Sequence, residues 1–356
     1  MSYLIGTATA VGPYAYEQEV VREWVARWLE RSGERADGAL SLFENALVRR
    51  RFSVEPIEYV FSERDLDDSN RRFQHHAIAL GERVVRECLS RAGVAPDEVD
   101  LFISVSCTGY MIPSVDAHLI GRLEMRPTVK RLPITELGCA AGAVALSRGH
   151  EYIRAFPDAR VLVLSTEFPS LTFQREDRSR ANLVSAAIFG DGAAAALLSG
   201  QPFGRSPLVL DNQSVTFPGS LDLMGFELGS RGFRIILSKD IPARVRGQVR
   251  ALVDGFLGSH GLAREHISHY LLHPGGRRIL EVFESELELA PEDLALSRSV
   301  LESYGNLSSS TILFILHELS SRRRGPIPGG RPDGEGYGLA MAMGPGFGVE
   351  MLLLQC

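Results

Sequence analysis

Along the chain, stretches whose apolar residues recur every three to four positions alternate with short runs that are apolar throughout. Residues 17–31 place Val20, Val21, Trp24, Val25 and Trp28 at helical spacing with Glu and Arg between them. Residues 75–92 repeat the pattern up to Gly93, and both predict amphipathic helices. VDLFISVSC (99–107) is apolar almost without a break, the mark of a strand covered on both faces. A helix is predicted over 114–125 with Ser114 as its cap. RLPITEL, a small-residue turn and helix from Cys139, the strand RVLVLSTE (160–167) and a strand within GAAAALLSG follow. After a Gly/Pro-rich break at 200–207 come VLDNQSVTF, FRIILS, a helix over 241–257, ISHYLLH, a helix from Arg277 and another over 308–323. GPIPGGRPDGEG (325–336) reads as an exposed loop, and GYGLAMAM and GVEMLLLQ as strands that the GPGF turn (344–347) joins into a hairpin.

This alternation predicts an α/β chain of two similar halves meeting near residue 200. The 356 residues exceed the ~250 to 300 at which single cores stop growing. With 45% hydrophobic and 23% charged residues and no long apolar run, a soluble globular protein without a membrane span is expected. The first residues lack a basic start and a continuous apolar run, which predicts no export signal and a cytoplasmic location. A net charge of −6 argues against nucleic acid as a partner, since such binding rests on excess Lys and Arg. The four cysteines, Cys88, Cys107, Cys139 and Cys356, show neither CxxC pairs nor His/Cys ligand spacing, so no metal site and no disulfide framework are expected.

Three segments carry candidate chemistry: ELGCAAGA, LLHPGG and YGNLSSST. Cys139 falls at a predicted strand-to-helix turn, where the helix dipole favours a thiolate and Gly138, Ala140 and Gly142 let a substrate approach. His273 ends a strand before a Pro-Gly-Gly break, at the sheet edge where α/β proteins bind ligands. Asn306 fits an amide donor and equally a helix cap. Together they read as a nucleophile, a base or imidazolium, and a hydrogen-bond donor, the apparatus for taking an acyl group from one thioester and decarboxylating another.

ELGCAAGA, FGDGAAA (189–195), LLHPGG, YGNLSSST and AMGPGF, in this order and at these separations, resemble the type III polyketide synthases, the chalcone synthase-like family. The resemblance implies a thiolase-like fold with two βαβαβ-type halves in five αβαβα layers. Residues 1–203 would carry the cysteine, residues 204–356 the histidine and asparagine, and a homodimer would be the working unit. By position, Cys139 corresponds to the acyl-accepting nucleophile, and His273 and Asn306 to the pair that holds the thioester carbonyl and steadies the enolate. An imidazolium at His273 would stabilise the thiolate. Phe189 corresponds to the gatekeeper where the pantetheine tunnel meets the cavity, and Ser308 to a pocket residue. Acyl-CoA and malonyl-CoA are the implied substrates, with an acyl carrier protein as a further donor to consider and no metal or redox cofactor. The GxGxxA match within FGDGAAA is set aside, because a strand is expected after it. Arg49, Arg50 and Arg51 lie near the family's CoA-binding basic residues and read equally as a solvated face; Arg322–Arg324 are a weaker second cluster.

Departures bear on substrate. Cys107 stands where plant members carry Thr, and Ile235 where they place a second large aromatic. GFELGSRGF with Phe226 and the GPGFGVEMLLL ending resemble bacterial synthases that make alkylpyrones or alkylresorcinols from fatty acyl starters, which implies an aliphatic tunnel beside Cys107. The alternatives are a ketoacyl synthase of the third type, making one condensation, and a non-catalytic partner subunit. An HMG-CoA synthase would need a glutamate base, and Glu136, three residues before Cys139, is expected on the opposite strand face.

Overall fold

The computed structural model describes residues 1–31, 33, 37–322 and 336–356. The expected loop at 325–336, apart from Gly336, lies outside them, as do Arg323 and Arg324. Nine strands form one sheet in the order Ile267–Leu272, Tyr337–Gly344, Gly348–Gln355, Leu208–Thr216, Ser2–Val11, Gly192–Ser199, Arg160–Glu167, Leu101–Val105, Lys130–Ile134. The first four come from the C-terminal half and the last five from the N-terminal half. They meet at a narrow seam, where only Ser2 and Tyr3 pair with Val209 and Leu208.

Between the two halves run the helices Ala141–Ala155 and Ser310–Arg322. Their apolar faces fuse with Ile103, Val163 and Ala194 on one side and Ala340, Ala342 and Leu352 on the other into a single buried cluster. Helix Leu66–Ala92 packs a second cluster on the outer face of the N-terminal strands, and Val249–Gly258 and Arg277–Leu287 pack a third beyond the C-terminal strands. The five expected layers are thus present. They exist because the inner strands of the sheet, such as Leu101–Val105, Arg160–Glu167 and Gly192–Ser199, are buried on both faces and must be covered twice.

Several local expectations change. Helix Leu66–Ala92 begins nine residues before the predicted start, in the polar run LDDSNRRFQ. Its first turn is set by a cap, Asp65 accepting from the Asp68 N–H at 2.8 Å, and it stops at Gly93 in the left-handed region. Ser114 precedes the helix Val115–Arg122 without capping it, because its hydroxyl accepts a bond from Arg131 instead. The helix expected over 241–257 is broken at Gly247, where φ is +77°. FRIILS acquires an unforeseen partner: Met224–Gly229 pairs with Gly232–Leu237 as a separate two-stranded hairpin outside the main sheet. The closing hairpin, Tyr337–Gly344 with Gly348–Gln355, forms as expected.

Candidate active site

Cys139, His273 and Asn306, from three distant segments, line one cavity of about 440 Å³ between the halves, with Cys107, Phe189, Phe226, Ile235 and Ser308. Cys139 lies in a short 3-10 turn, Gly138–Ala140, that runs into the central helix Ala141–Ala155. Gly138 lines the cavity beside Cys139, and both neighbouring glycines are also required by close backbone approach. A Cβ on Gly142 would stand 2.1 Å from the Ser309 carbonyl oxygen, and one on Gly138 would stand 2.6 Å from Pro345 of the GPGF turn. These contacts lock the nucleophile's turn against the segments that carry Ser308 and Pro345.

His273 follows the strand Ile267–Leu272, its N–H donating to Met341 O, and neither ring nitrogen has a protein partner. Asn306 is held by its own amide. Its Oδ1 accepts from the Ser308 N–H at 2.8 Å and its Nδ2 donates to Gly275 O at 3.1 Å, leaving the second Nδ2 hydrogen uncommitted. Ser308 adopts φ +51°, an uncommon conformation for a side-chain-bearing residue, and sets its hydroxyl 3.3 Å from Cys107 Sγ and 3.6 Å from Cys139 Sγ.

The expected thiolate–imidazolium pair is not what burial favours. Desolvation pushes the Cys139 thiol from its ordinary 9.0 up to about 12, with the Ser308 hydrogen bond only partly opposing it. The same cause pushes His273 down to about 4. Three units correspond to about 4 kcal/mol against ionisation, more than the ~2 kcal/mol a helix terminus supplies at best. Burial thus favours a thiol and a neutral imidazole, one of whose nitrogens accepts while the other donates.

A stability prediction follows from His273. The unfolded chain accepts a proton near pH 6.5 and the folded chain only near 4, so the folded form is fully favoured above 6.5 and loses that advantage as pH falls toward 4. Between pH 7.5 and 5 the loss from this group is about 2 kcal/mol. Urea midpoints of the parent and His273→Gln at both pH values check it; equal slopes in the two proteins would refute it.

One buried charged residue beside the site escaped sequence reasoning. Glu167, at the end of its strand, is fully buried and accepts from Thr108 Oγ1 at 2.8 Å, the Cys107 N–H at 3.1 Å, Cys107 Sγ at 3.5 Å and Ser309 Oγ. Burial raises its carboxyl, while these donors partly offset the shift. Its signal was available: a charged residue closing the apolar run RVLVLSTE, the same strand-end logic that found His273. Cys107 therefore sits beside a carboxylate rather than on an aliphatic wall, and its thiol is held well above 9.0 by burial and by Glu167. Glu136 also lines the cavity instead of turning away from it. Phe226 and Ile235 face each other across the 224–237 hairpin and form its apolar cover, while Phe189 stands between the cavity and a recess of about 60 Å³.

The arginine cluster divides. Strand alternation turns Arg51 inward, where it is buried and bonded to backbone carbonyls. Arg49 pairs with Glu302, Arg50 lies over Phe52, and neither lines the cavity or its mouth. A basin of about 670 Å³ continues the cavity outward, sharing Ile188, Met224, Leu237, Ile241, Gly275 and Ile279 with it, and is edged by Arg180, Lys239, Arg277 and Arg278. Among the described residues no His, Cys, Asp and Glu group could hold a metal ion, and no helix is long and apolar enough to cross a membrane.

Two layered halves closing on one apolar cavity are the architecture of the thiolase-fold acyltransferases. Family models narrow the class further: "Chalcone and stilbene synthases, N-terminal domain" matches residues 60–202 and the corresponding C-terminal domain residues 208–356. The chain belongs to the chalcone and stilbene synthase family and is a type III polyketide synthase, an acyltransferase. It is 37% identical over 353 residues to a 1,3,6,8-tetrahydroxynaphthalene synthase of Streptomyces peucetius subsp. caesius, covering 98% of this chain and 91% of that one. It is 32% identical to a 3,5-dihydroxyphenylacetyl-CoA synthase of Amycolatopsis orientalis, covering 88% and 85%. The crystal structure of 1,3,6,8-tetrahydroxynaphthalene synthase from Streptomyces coelicolor A3(2) superposes with a TM-score of 0.92 at 31% identity, covering 99% of both chains.

Proposed function

We propose that the protein condenses malonyl-CoA decarboxylatively onto an acyl starter held on Cys139 and releases a cyclised polyketide. The observation that carries this reading is the convergence of Cys139, His273 and Asn306 on one cavity in which both imidazole nitrogens lack a protein partner. Neutral His273 takes the Cys139 proton as sulfur attacks the starter thioester, and coenzyme A leaves as its thiol. When malonyl-CoA follows, its C–C bond breaks, carbon dioxide departs, and the electron pair becomes an enolate whose oxygen accepts from the His273 N–H and Asn306 Nδ2–H. The enolate carbon attacks the acyl-cysteine and expels the Cys139 thiolate, ready for another round.

The outer basin suits the CoA phosphates better than Arg49–Arg51 do. Arg277 and Arg278 open the helix Arg277–Leu287 and line the basin together with Arg180 and Lys239. The apolar cover from the 224–237 hairpin supports a fatty acyl starter and an alkylpyrone or alkylresorcinol product. The test is product mass spectrometry with malonyl-CoA and a panel of acyl-CoA starters of increasing length. Pyrones or resorcinols from medium or long chains are expected; a single β-ketoacyl product would reject the reading in favour of a ketoacyl synthase of the third type.

The working unit in this reading is a homodimer. Tyr110, Ile112, Leu132 and Leu137 are 53%, 80%, 37% and 38% exposed at the sheet's Lys130–Ile134 edge, and Tyr110 also lines the cavity. A second copy seated there would cover this apolar patch and close the site. Sedimentation is expected to give a dimer for the parent and a monomer for Ile112→Asp; a monomeric parent would sink the idea.

A further inference from the structure

Arg51 is buried without an ion pair at contact distance among the described residues, although the charge of buried Asp191 favours its own. It is 6% exposed, and its guanidinium spends three of its four Nη hydrogens on one stretch of chain. Nη1 donates to Ala186 O at 2.5 Å and Phe189 O at 3.0 Å, and Nη2 to Ala187 O at 2.5 Å and to Gln18 Oε1. Gln18 Nε2 in turn donates to Ala187 O at 3.0 Å. These carbonyls end the helix Arg180–Ile188, where the last turn has no partners of its own. The one remaining carbonyl, Ile188 O, is taken by the backbone N–H of Asn306 at 2.7 Å, and Asn306 O accepts from the Gly190 N–H at 3.0 Å. One guanidinium and the backbone of Asn306 thus divide the four carbonyls 186–189 between them, and Phe189 pairs with Asn306 as an isolated bridge. On the far side the Asp191 N–H donates to Phe52 O, and Asp191 Oδ2 accepts from the Val54 N–H, so the strand that bears Arg51 grips this segment twice.

We infer that Arg51 is a positioning residue for the condensation: it holds residues 186–190 in the register that sets Phe189 in the cavity wall and aims the Asn306 amide at the substrate carbonyl. Lysine cannot replace it, because three donors on one point cannot reach carbonyls that a planar fork spans. The inference rests on the role proposed for Asn306.

The experiment measures malonyl-CoA decarboxylation without starter, as acetyl-CoA formed per iodoacetamide-titrated Cys139, alongside KM and melting temperature. Arg51→Lys is expected to lower kcat per titrated site about tenfold with little change in KM, in keeping with the cost of sub-ångström misplacement. Gln18→Met, at a half-buried position, should shift kcat the same way by about threefold, and it decides the matter if Arg51→Lys does not fold. An unchanged kcat per site in the folded variants, with only the melting temperature lowered, overturns the inference and leaves Arg51 a purely structural residue. Asn306→Ala separates the two readings. If it leaves decarboxylation intact, the proposed site chemistry fails; if it impairs decarboxylation while Arg51→Lys does not, only the positioning role fails.

Discussion

Cys139→Ala is expected to abolish polyketide formation, by about 10⁴-fold or more, while decarboxylation of malonyl-CoA stays within about tenfold of the parent. The split follows from the geometry. The sulfur is the sole cavity group proposed to hold the growing chain, whereas the enolate oxygen is met by His273 and Asn306, which the substitution leaves alone. Removing one sulfur leaves room for water rather than strain, because the turn is locked by Gly138 and Gly142 contacts that do not involve the side chain. Product and acetyl-CoA are quantified in the same reaction by mass spectrometry. Loss of both activities together would mean that the thiol serves decarboxylation too, and retention of product would remove Cys139 from the mechanism. Iodoacetamide should also modify Cys139 well before Cys88, which is fully buried outside the cavity.

His273→Ala is expected to have the broader effect. It removes the base that receives the Cys139 proton and one of two donors to the enolate oxygen, so both half-reactions fall. Starter acylation should slow about 10²- to 10³-fold, and decarboxylation by a similar factor. Asn306→Ala should slow decarboxylation alone, because its amide has no part in proton removal from sulfur. The acylation burst, read by intact-protein mass spectrometry, and acetyl-CoA release distinguish these patterns. Equal acylation rates in the parent and His273→Ala would show that another group takes the proton. Glu167 is the nearest buried candidate, linked to Cys139 through Cys107 and Ser308. Because burial keeps His273 neutral down to about pH 4, acylation should not be lost through imidazole protonation until the medium is well below pH 6.

Much of the fold could be read from periodicity, and where reading failed the cause was local. The first turns of Leu66–Ala92 carry few apolar residues, so a cap rather than a stripe defines them. The 241–257 stripe continues through Gly247 although the backbone does not, since a hydrophobic pattern is blind to a positive φ. The strand MGFELG was not foreseen, since its residues are only half-buried or exposed rather than packed in a core. In the site, residues at strand ends or beside small-residue turns were found, and Glu167 obeyed the same rule unnoticed.

Residue chemistry alone specified a thiol, an imidazole and a carboxamide, together with strands apolar on both faces that must sit between helices. It could not specify their ionisation or their company. Whether Arg51 meets phosphate or backbone depends on which way a four-residue strand turns its pleat. Whether Cys139 is a thiolate depends on how much water the assembled halves exclude, and exclusion here outweighs the helix terminus. Both are properties of surroundings drawn from segments well over a hundred residues apart, such as Cys139 and Ser308 at 169. The solvent excluded and the field felt at a group come into being only when such segments pack, so no local pattern along the chain encodes them.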